Sequence, residues 1–256
     1  MKNLSLISPV KIFWTSIYIV LNLFIIFQSH AQETNYVPEK PDQIIIPAKS
    51  SSLVGKGILG IQVLIGGSYE NIKPGINAVK GKDTTEVEFG PGGGIGMEIY
   101  GGKQLDKIFR FGLHAGFMVS SGIPPIKDLT IRYTRFYAMP VLNAGIRLNS
   151  ESQINIGIGG YASFGNSLYI KVPSDTILSL KIVYKPNFGV VSHIQYEHTI
   201  ENCSFFGGLR FHWVNLEVGE ILAGGRRATL TPSGNATFNN KNGGGVALQF
   251  GMNYFF

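Results

Sequence analysis

From Gly55 onward, hydrophobic and polar positions alternate with a period of two, the repeat of an extended strand rather than a helix. The last segment shows this most clearly. Val246, Leu248, Phe250, Met252, Tyr254 and Phe256 fall on one face; Ala247, Gln249, Gly251, Asn253 and Phe255 fall on the other. Seven earlier segments follow the same rule. Residues 57–69 set Leu59, Ile61, Val63, Ile65 and Tyr69 against Gly60, Gln62, Gly66 and Ser68. Residues 87–100 set Phe89, Ile95, Met97 and Ile99 against Glu88, Gly96, Glu98 and Tyr100. Residues 109–119 oppose Phe111, Leu113 and Phe117 to Arg110 and His114, and residues 131–148 oppose Phe136, Leu142 and Ile146 to Arg135, Tyr137, Asn143 and Arg147. Residues 153–171 oppose Ile154, Ile156 and Ile158 to Asn155 and Tyr161. Residues 181–198 oppose Tyr184, Phe188, Ile194 and Tyr196 to Lys185, Asn187, His193, Gln195 and Glu197; residues 203–218 oppose Phe205, Leu209, Phe211 and Trp213 to Arg210 and His212.

Each segment is long enough for a tilted strand to cross a bilayer, which takes roughly 9–11 residues. The connections alternate strictly. Residues 104–107, 149–152 and 200–202 are short links, whereas 70–86, 120–130, 172–180 and 219–243 are longer. The expected fold is all-β: an eight-stranded antiparallel up-and-down transmembrane β-barrel over residues 55–256, with turns at one rim and loops at the other. The structural rival is a soluble barrel with its apolar face inward, which would leave Arg110, Arg147, Glu197 and Arg210 outside. Pro140 falls inside the fourth segment and removes a ladder donor there.

Composition narrows the class further. All 33 glycines lie from Gly55 onward, roughly 16% of that stretch against a usual 7%. A helical bundle would lose roughly 1 kcal/mol at each interior glycine. The single cysteine, Cys203, excludes an internal disulfide framework and a four-cysteine zinc site. At the N-terminus, Lys2 and Lys11 precede an apolar run to Phe27, and Ser29-His30-Ala31 places small residues at the −3 and −1 positions of a cleavage site. Residues 1–31 therefore read as a secretory signal peptide; a single N-terminal membrane helix is the alternative. Residues 32–54, with Pro38, Pro41, Pro47 and a Ser50-Ser51-Ser52 run, read as a periplasmic linker. Without Lys2 and Lys11 the chain keeps 20 basic and 16 acidic residues, too mild a surplus to indicate nucleic acid.

The end of the chain, Gln249-Phe250-Gly251-Met252-Asn253-Tyr254-Phe255-Phe256, resembles the assembly signal of bacterial outer-membrane β-barrels of the small eight-stranded kind. Gln249, Gly251, Tyr254 and Phe256 match its positions one by one. The Phe136–Leu142 strand with internal Pro140 is similar to one found in Bacteroidetes PorT-like barrels. The resemblance implies the outer membrane of a Gram-negative bacterium, surrounding lipid and lipopolysaccharide, and the barrel-assembly machinery as a partner during insertion.

The inward face is where chemistry would reside. Glu98, Arg110, Arg147, Glu197 and Arg210 are expected to form an ion-pair cluster in the lumen, with Glu88, Arg135 and Lys185 facing the same way. An eight-stranded barrel is just wide enough for side chains to fill, and buried charges demand partners. The cluster reads as a plug replacing a hydrophobic core, or as a gated solute path. His114, His193 and His212 face inward on different strands and are expected at different heights, so no metal site is nominated. Catalytic residues and cofactors are likewise none. Gly157-Ile158-Gly159-Gly160 and Gly90-Pro91-Gly92-Gly93-Gly94 read as a strand and a bend, because no helix or phosphate-loop lysine follows. Arg226 and Arg227 in the longest connection could meet acidic lipopolysaccharide or simply water. The preferred role is a non-enzymatic scaffold or interaction protein with a filled lumen. A narrow channel and a PorT-like accessory of protein secretion are the alternatives.

Overall fold

The computed structural model describes residues 53–73, 77–80, 83–122, 129–172, 178–228 and 241–256. The expected signal peptide, 1–31, and nearly all of the expected linker, 32–54, lie outside the described residues. Eight long strands follow: β1 Gly57–Ser68, β2 Gly94–Gln104, β3 Phe109–Ser121, β4 Thr130–Arg147, β5 Ser152–Val172, β6 Asn187–Ile200, β7 Cys203–Leu216 and β8 Gly245–Phe255. Each pairs antiparallel with its neighbour in sequence. Pairing of β1 with β8, from Ile58 opposite Phe255 to Ser68 opposite Gly245, closes the ring. The fold is thus a closed eight-stranded antiparallel up-and-down barrel.

Residues 105–108, 148–151 and 201–202 form tight links at one rim, where the two ends of the barrel also meet: Gly57 N donates to Phe256 O at 2.9 Å. Local chemistry sets these turns. Asp106 Oδ1 accepts from Ile108 N and Phe109 N at 2.7 and 2.6 Å, and Asn149 Oδ1 accepts from Glu151 N and Ser152 N at 2.9 and 2.7 Å. A short acceptor side chain thereby replaces the backbone partners that a reversing chain leaves unmade. Hydrogen bonds from the main chain of Lys56 and Gln104, and packing of Leu53 on Ile58, Tyr100 and Phe255, finish this rim.

The alternation holds through the middle of every wall, and its sense is inverted relative to a soluble domain. Leu59, Ile95, Ile99, Leu113, Phe205 and Phe250 are exposed outside, while Gln62, Glu98, Arg110, His114, Glu197, Arg210 and Gln249 are buried inside. Pro140 is exposed on the outer face. The β4–β5 ladder lacks the pairs that Met139 and Pro140 would make, resuming at Val141 opposite Gly159 without a change of register.

At the long-loop rim the pattern changes. Opposite Arg135, β5 carries an extra residue between Phe164 and Ser167, and Gly165 sits there at φ +62°. A bulge of this kind flips the face of everything beyond it. Leu168 and Ile170 therefore turn inward and join Ile72, Val87, Phe89, Leu129, Ile131, Tyr133, Ile182, Tyr184 and Leu216 in an apolar core that caps the lumen. Three expectations are corrected here. Residues 87–93 are not wall: Phe89 is buried in the cap, and Glu88 pairs with Lys73 at 2.6 Å rather than facing the lumen. The 181–198 segment breaks at residues 185–186; Tyr184, expected outside, is buried, and Lys185 pairs with exposed Glu217. The 219–243 connection is not wholly loop either. Val218–Ala223 pairs with Leu178–Tyr184, and Arg226–Arg227 folds back on it, extending the sheet of β4 and β5 beyond the barrel. Arg227 there pairs with Glu220. Residues 229–240 lie outside the described residues, and Asn77–Lys80 with Asp83–Glu86 form a separate hairpin.

Candidate functional site

Two carboxylates organise the lumen. Glu197 on β6 is fully buried and receives hydrogen bonds from every side: Arg110 Nη1 on β3 at 3.1 Å, Gln153 Nε2 at 2.8 Å, Asn155 Nδ2 at 2.5 Å and Asn253 Nδ2 at 3.1 Å, with Ser204 Oγ donating as well. Arg110 Nε in turn donates to Gln104 Oε1 at 3.1 Å. Glu98 on β2 forms a second centre. Arg210 on β7 grips it with both terminal nitrogens, at 2.5 and 2.9 Å, His114 Nδ1 lies 2.5 Å from Oε1, and Gln62 Nε2 donates to the same oxygen. Both pairs join strands three places apart around the ring, so they cross the lumen rather than running along a wall.

Inward glycines make room for these large groups. A side chain at Gly157 would fall on the His193 ring and Asn143, where His193 Nε2 meets Asn143 Oδ1 at 2.6 Å. Beside this contact lies a space about the size of one water, lined by Tyr100, Arg110, His114, Asn143, His193 and Gln195. Nearer the cap, Arg135 is buried, and among the described residues no carboxylate pairs with it. Its guanidinium donates to the carbonyls of Gly243 at 3.2 Å and Gly92 at 3.4 Å, and packs 5.8 Å from the Tyr161 ring centre. Gly92 abuts Gly244 so closely that a side chain would overlap the main chain. Arg135 thus ties the two glycine turns together beneath the cap, a role that sequence spacing does not reveal.

Of the five residues expected in the ion-pair cluster, Glu98, Arg110, Glu197 and Arg210 come together in these two centres, and Arg147 does not. It ends β4 in an exposed position, one step beyond the last inward layer. All three inward histidines are buried, but two of them lie closer than expected. His114 and His193 lie with ring centres 6.2 Å apart, while His212 is separate and stacks on Tyr161 at 5.4 Å. Among the described residues, no three His, Cys, Asp or Glu side chains are grouped to hold a metal ion. At the C-terminal strand, Gln249 is buried and donates to Gln195 Oε1 at 2.9 Å, and a side chain at Gly251 would strike the Phe206 ring. Tyr254 and Phe256 are exposed on the outer face.

One arrangement near the short-turn rim was missed by the sequence reading because it joins residues 46 apart. Ser152 Oγ lies 3.0 Å from His198 Nδ1, His198 Nε2 is 3.9 Å from Glu151, and Tyr196 Oη donates to Ser152 Oγ at 2.9 Å. A nucleophile needs access and a hydrogen-bonding cradle for the developing oxyanion. Ser152 is 6% exposed, and the Glu151 and Ser152 N–H groups are already taken by Asn149. The group acts as a clasp between β5 and β6.

No protein-family model and no curated protein matches the chain in sequence. Among solved structures it is similar to Ail, the attachment invasion locus protein of Yersinia pestis, at 10% identity and a TM-score of 0.38, over 79% of this chain and 99% of that one. It is also similar to an outer membrane channel from Pseudomonas putida F1, at 11% identity and a TM-score of 0.27, over 86% of this chain and 100% of that one.

Proposed function

We propose that this protein is an integral outer-membrane barrel with a closed lumen, serving as a non-enzymatic scaffold that presents its long-loop end to the surroundings. The inverted polarity of the wall carries this reading. Exposed large hydrophobic side chains surround the whole barrel, far beyond the few hundred Å² of apolar patch a soluble monomer shows, while the charges turn inward. From Phe136 to Leu148 the outer residues of β4 carry no charge. That is about 40 Å of strand and, at a tilt of about 40°, about 30 Å of height, the thickness of a bilayer's hydrocarbon core.

Two barriers in series support a closed lumen over a channel: the crossed ion pairs, Glu98–Arg210 near mid-height and Glu197–Arg110 nearer the short turns, and the apolar cap above them. The clasp at Ser152, buried and with the N–H groups of Glu151 and Ser152 already engaged by Asn149, supports a non-enzymatic role. The test is reconstitution. The refolded chain should migrate faster in gel electrophoresis before boiling than after, and should give no unitary conductance in planar bilayers. Stable single-channel steps would refute the closed lumen, and a soluble product without a mobility shift would refute membrane insertion.

A further inference from the structure

Just past the apolar belt, on the outer face toward the long loops, stands a group of cations that the closed barrel does not use. Strand register places Arg132 of β4 beside Tyr169 of β5, and Tyr169 beside Lys181. Lys171 lies two residues beyond Tyr169 on the same face. Their sequence neighbours Ile131, Tyr133, Leu168, Ile170 and Ile182 are buried in the cap, so these side chains point outward, and Arg132, Lys171 and Lys181 are exposed. The Arg132 guanidinium lies 5.8 Å from the centre of the Tyr169 ring. Two other cations of this region are matched with acids: Lys185 with Glu217, and Arg227 with Glu220. Among the described residues no carboxylate pairs with Arg132, Lys171 or Lys181.

Position and chemistry select an occupant. The apolar outer face of β4 and β5 ends at Phe136 and Phe164, which are paired in register, and past Thr134 and Ser167 the cations begin two outward side chains higher. Lipid phosphates lie at that level. Neighbouring strands are about 4.8 Å apart, so Arg132 and Lys181 bracket Tyr169 over about 10 Å, with Lys171 about 7 Å along the strand. Long side chains at that spacing converge on one phosphorylated headgroup, the guanidinium through paired donors and the ammonium groups as mobile point charges. We propose that Arg132, Lys171 and Lys181, arranged around Tyr169, bind the headgroup phosphate of a lipid in the leaflet nearest the long loops. The proposal rests on the membrane-embedded reading of the barrel.

The test uses the full mature chain refolded in detergent and titrated with bisphosphorylated lipid A and with its dephosphorylated form, bound lipid being counted by native mass spectrometry. Wild type should retain the phosphorylated form and not the other. Each cation near an anionic lipid surface contributes about fivefold in affinity, so Arg132→Gln/Lys171→Gln/Lys181→Gln should lose on the order of 100-fold, whereas Lys103→Gln/Lys107→Gln at the opposite rim should lose none. Unchanged binding in the triple variant overturns the proposal, as does equal loss in the rim control. Displacement by millimolar inorganic phosphate would assign the site to free phosphate rather than lipid, also overturning it. Should the triple variant fail to fold, Lys171→Gln and Lys181→Gln singly must each lose about fivefold. Heat modifiability in liposomes is read separately: a barrel that does not insert refutes the membrane reading, whereas one that inserts without preferring phosphorylated lipid refutes only this site.

Discussion

Removing the Glu98 carboxylate tests most directly whether crossed ion pairs replace a hydrophobic core. Glu98→Gln keeps the shape of the side chain, but deprives buried Arg210 of its counter-charge and leaves a single acceptor oxygen where Arg210, His114 and Gln62 now share two. Breaking a buried pair by removing one partner typically costs about 3–5 kcal/mol, because the remaining charge is left uncompensated. Arg210→Gln should cost a similar amount. The double variant removes both charges, so its cost should fall short of the sum of the two by about 2 kcal/mol or more, since residues in one network are not additive. The assay is urea unfolding of barrels folded into lipid vesicles, followed by the fluorescence of Trp213, which lies on the outer wall against Phe211 and Tyr69. Additive single costs would show that Glu98 and Arg210 are not coupled. A Glu98→Gln cost under about 1 kcal/mol would show that the lumen tolerates a lone guanidinium, and the plug argument would fail.

Placing a charge on the belt should be nearly as damaging: Leu113→Arg, at an exposed apolar position of β3, should destabilise the inserted barrel by about 2–4 kcal/mol if it lies near the midplane, with little effect expected if the wall faced water. Gly157→Val should disrupt the His193–Asn143 contact and lower folding yield, which Gly101→Val, where a side chain meets open space, should not. Phe109 N–H, then Ile108 N–H, hold the Asp106 carboxyl below its ordinary range. Because its pKa is lower folded than unfolded, the turn's contribution is present above the usual Asp range and is lost as pH falls through the folded value. A titration of folded fraction from neutral pH into acid should therefore be shallower in Asp106→Asn, whose amide oxygen still accepts; an identical curve would remove Asp106 from the account. Glu98→Gln/Arg210→Gln should remain silent in planar bilayers, because the cap above is intact, and conducting steps would show that the cap is no barrier.

How far the sequence could be read depended on where each residue sits along the barrel axis. In the middle of the wall every residue faces one of two unlike surroundings, so a period of two identifies both strand and face; Ile95, Glu98, Leu113 and His114 all follow it. Beyond the apolar belt the inner and outer sides no longer differ in the same sense, and one glycine bulge is enough to turn β5 over. The same alternation there describes Leu168 and Ile170 packing on Tyr133 and Tyr184, which is why Phe89 and Tyr184 look like belt residues and are cap residues. Arg147 marks the opposite limit. It has the inward phase of β4, yet the lumen ends before it, and phase alone carries no information about height. Height also decides partners. Glu197 meets Arg110 and Glu98 meets Arg210 across the lumen, through strands that never touch, so these contacts depend on the stagger of the whole ring rather than on any local spacing. In the closed lumen proposed above, that dependence would make the pairs effective as a plug: each ties together walls that would have to part for a pore to open, and the apolar cap would block the same axis with groups that offer an ion nothing in place of water.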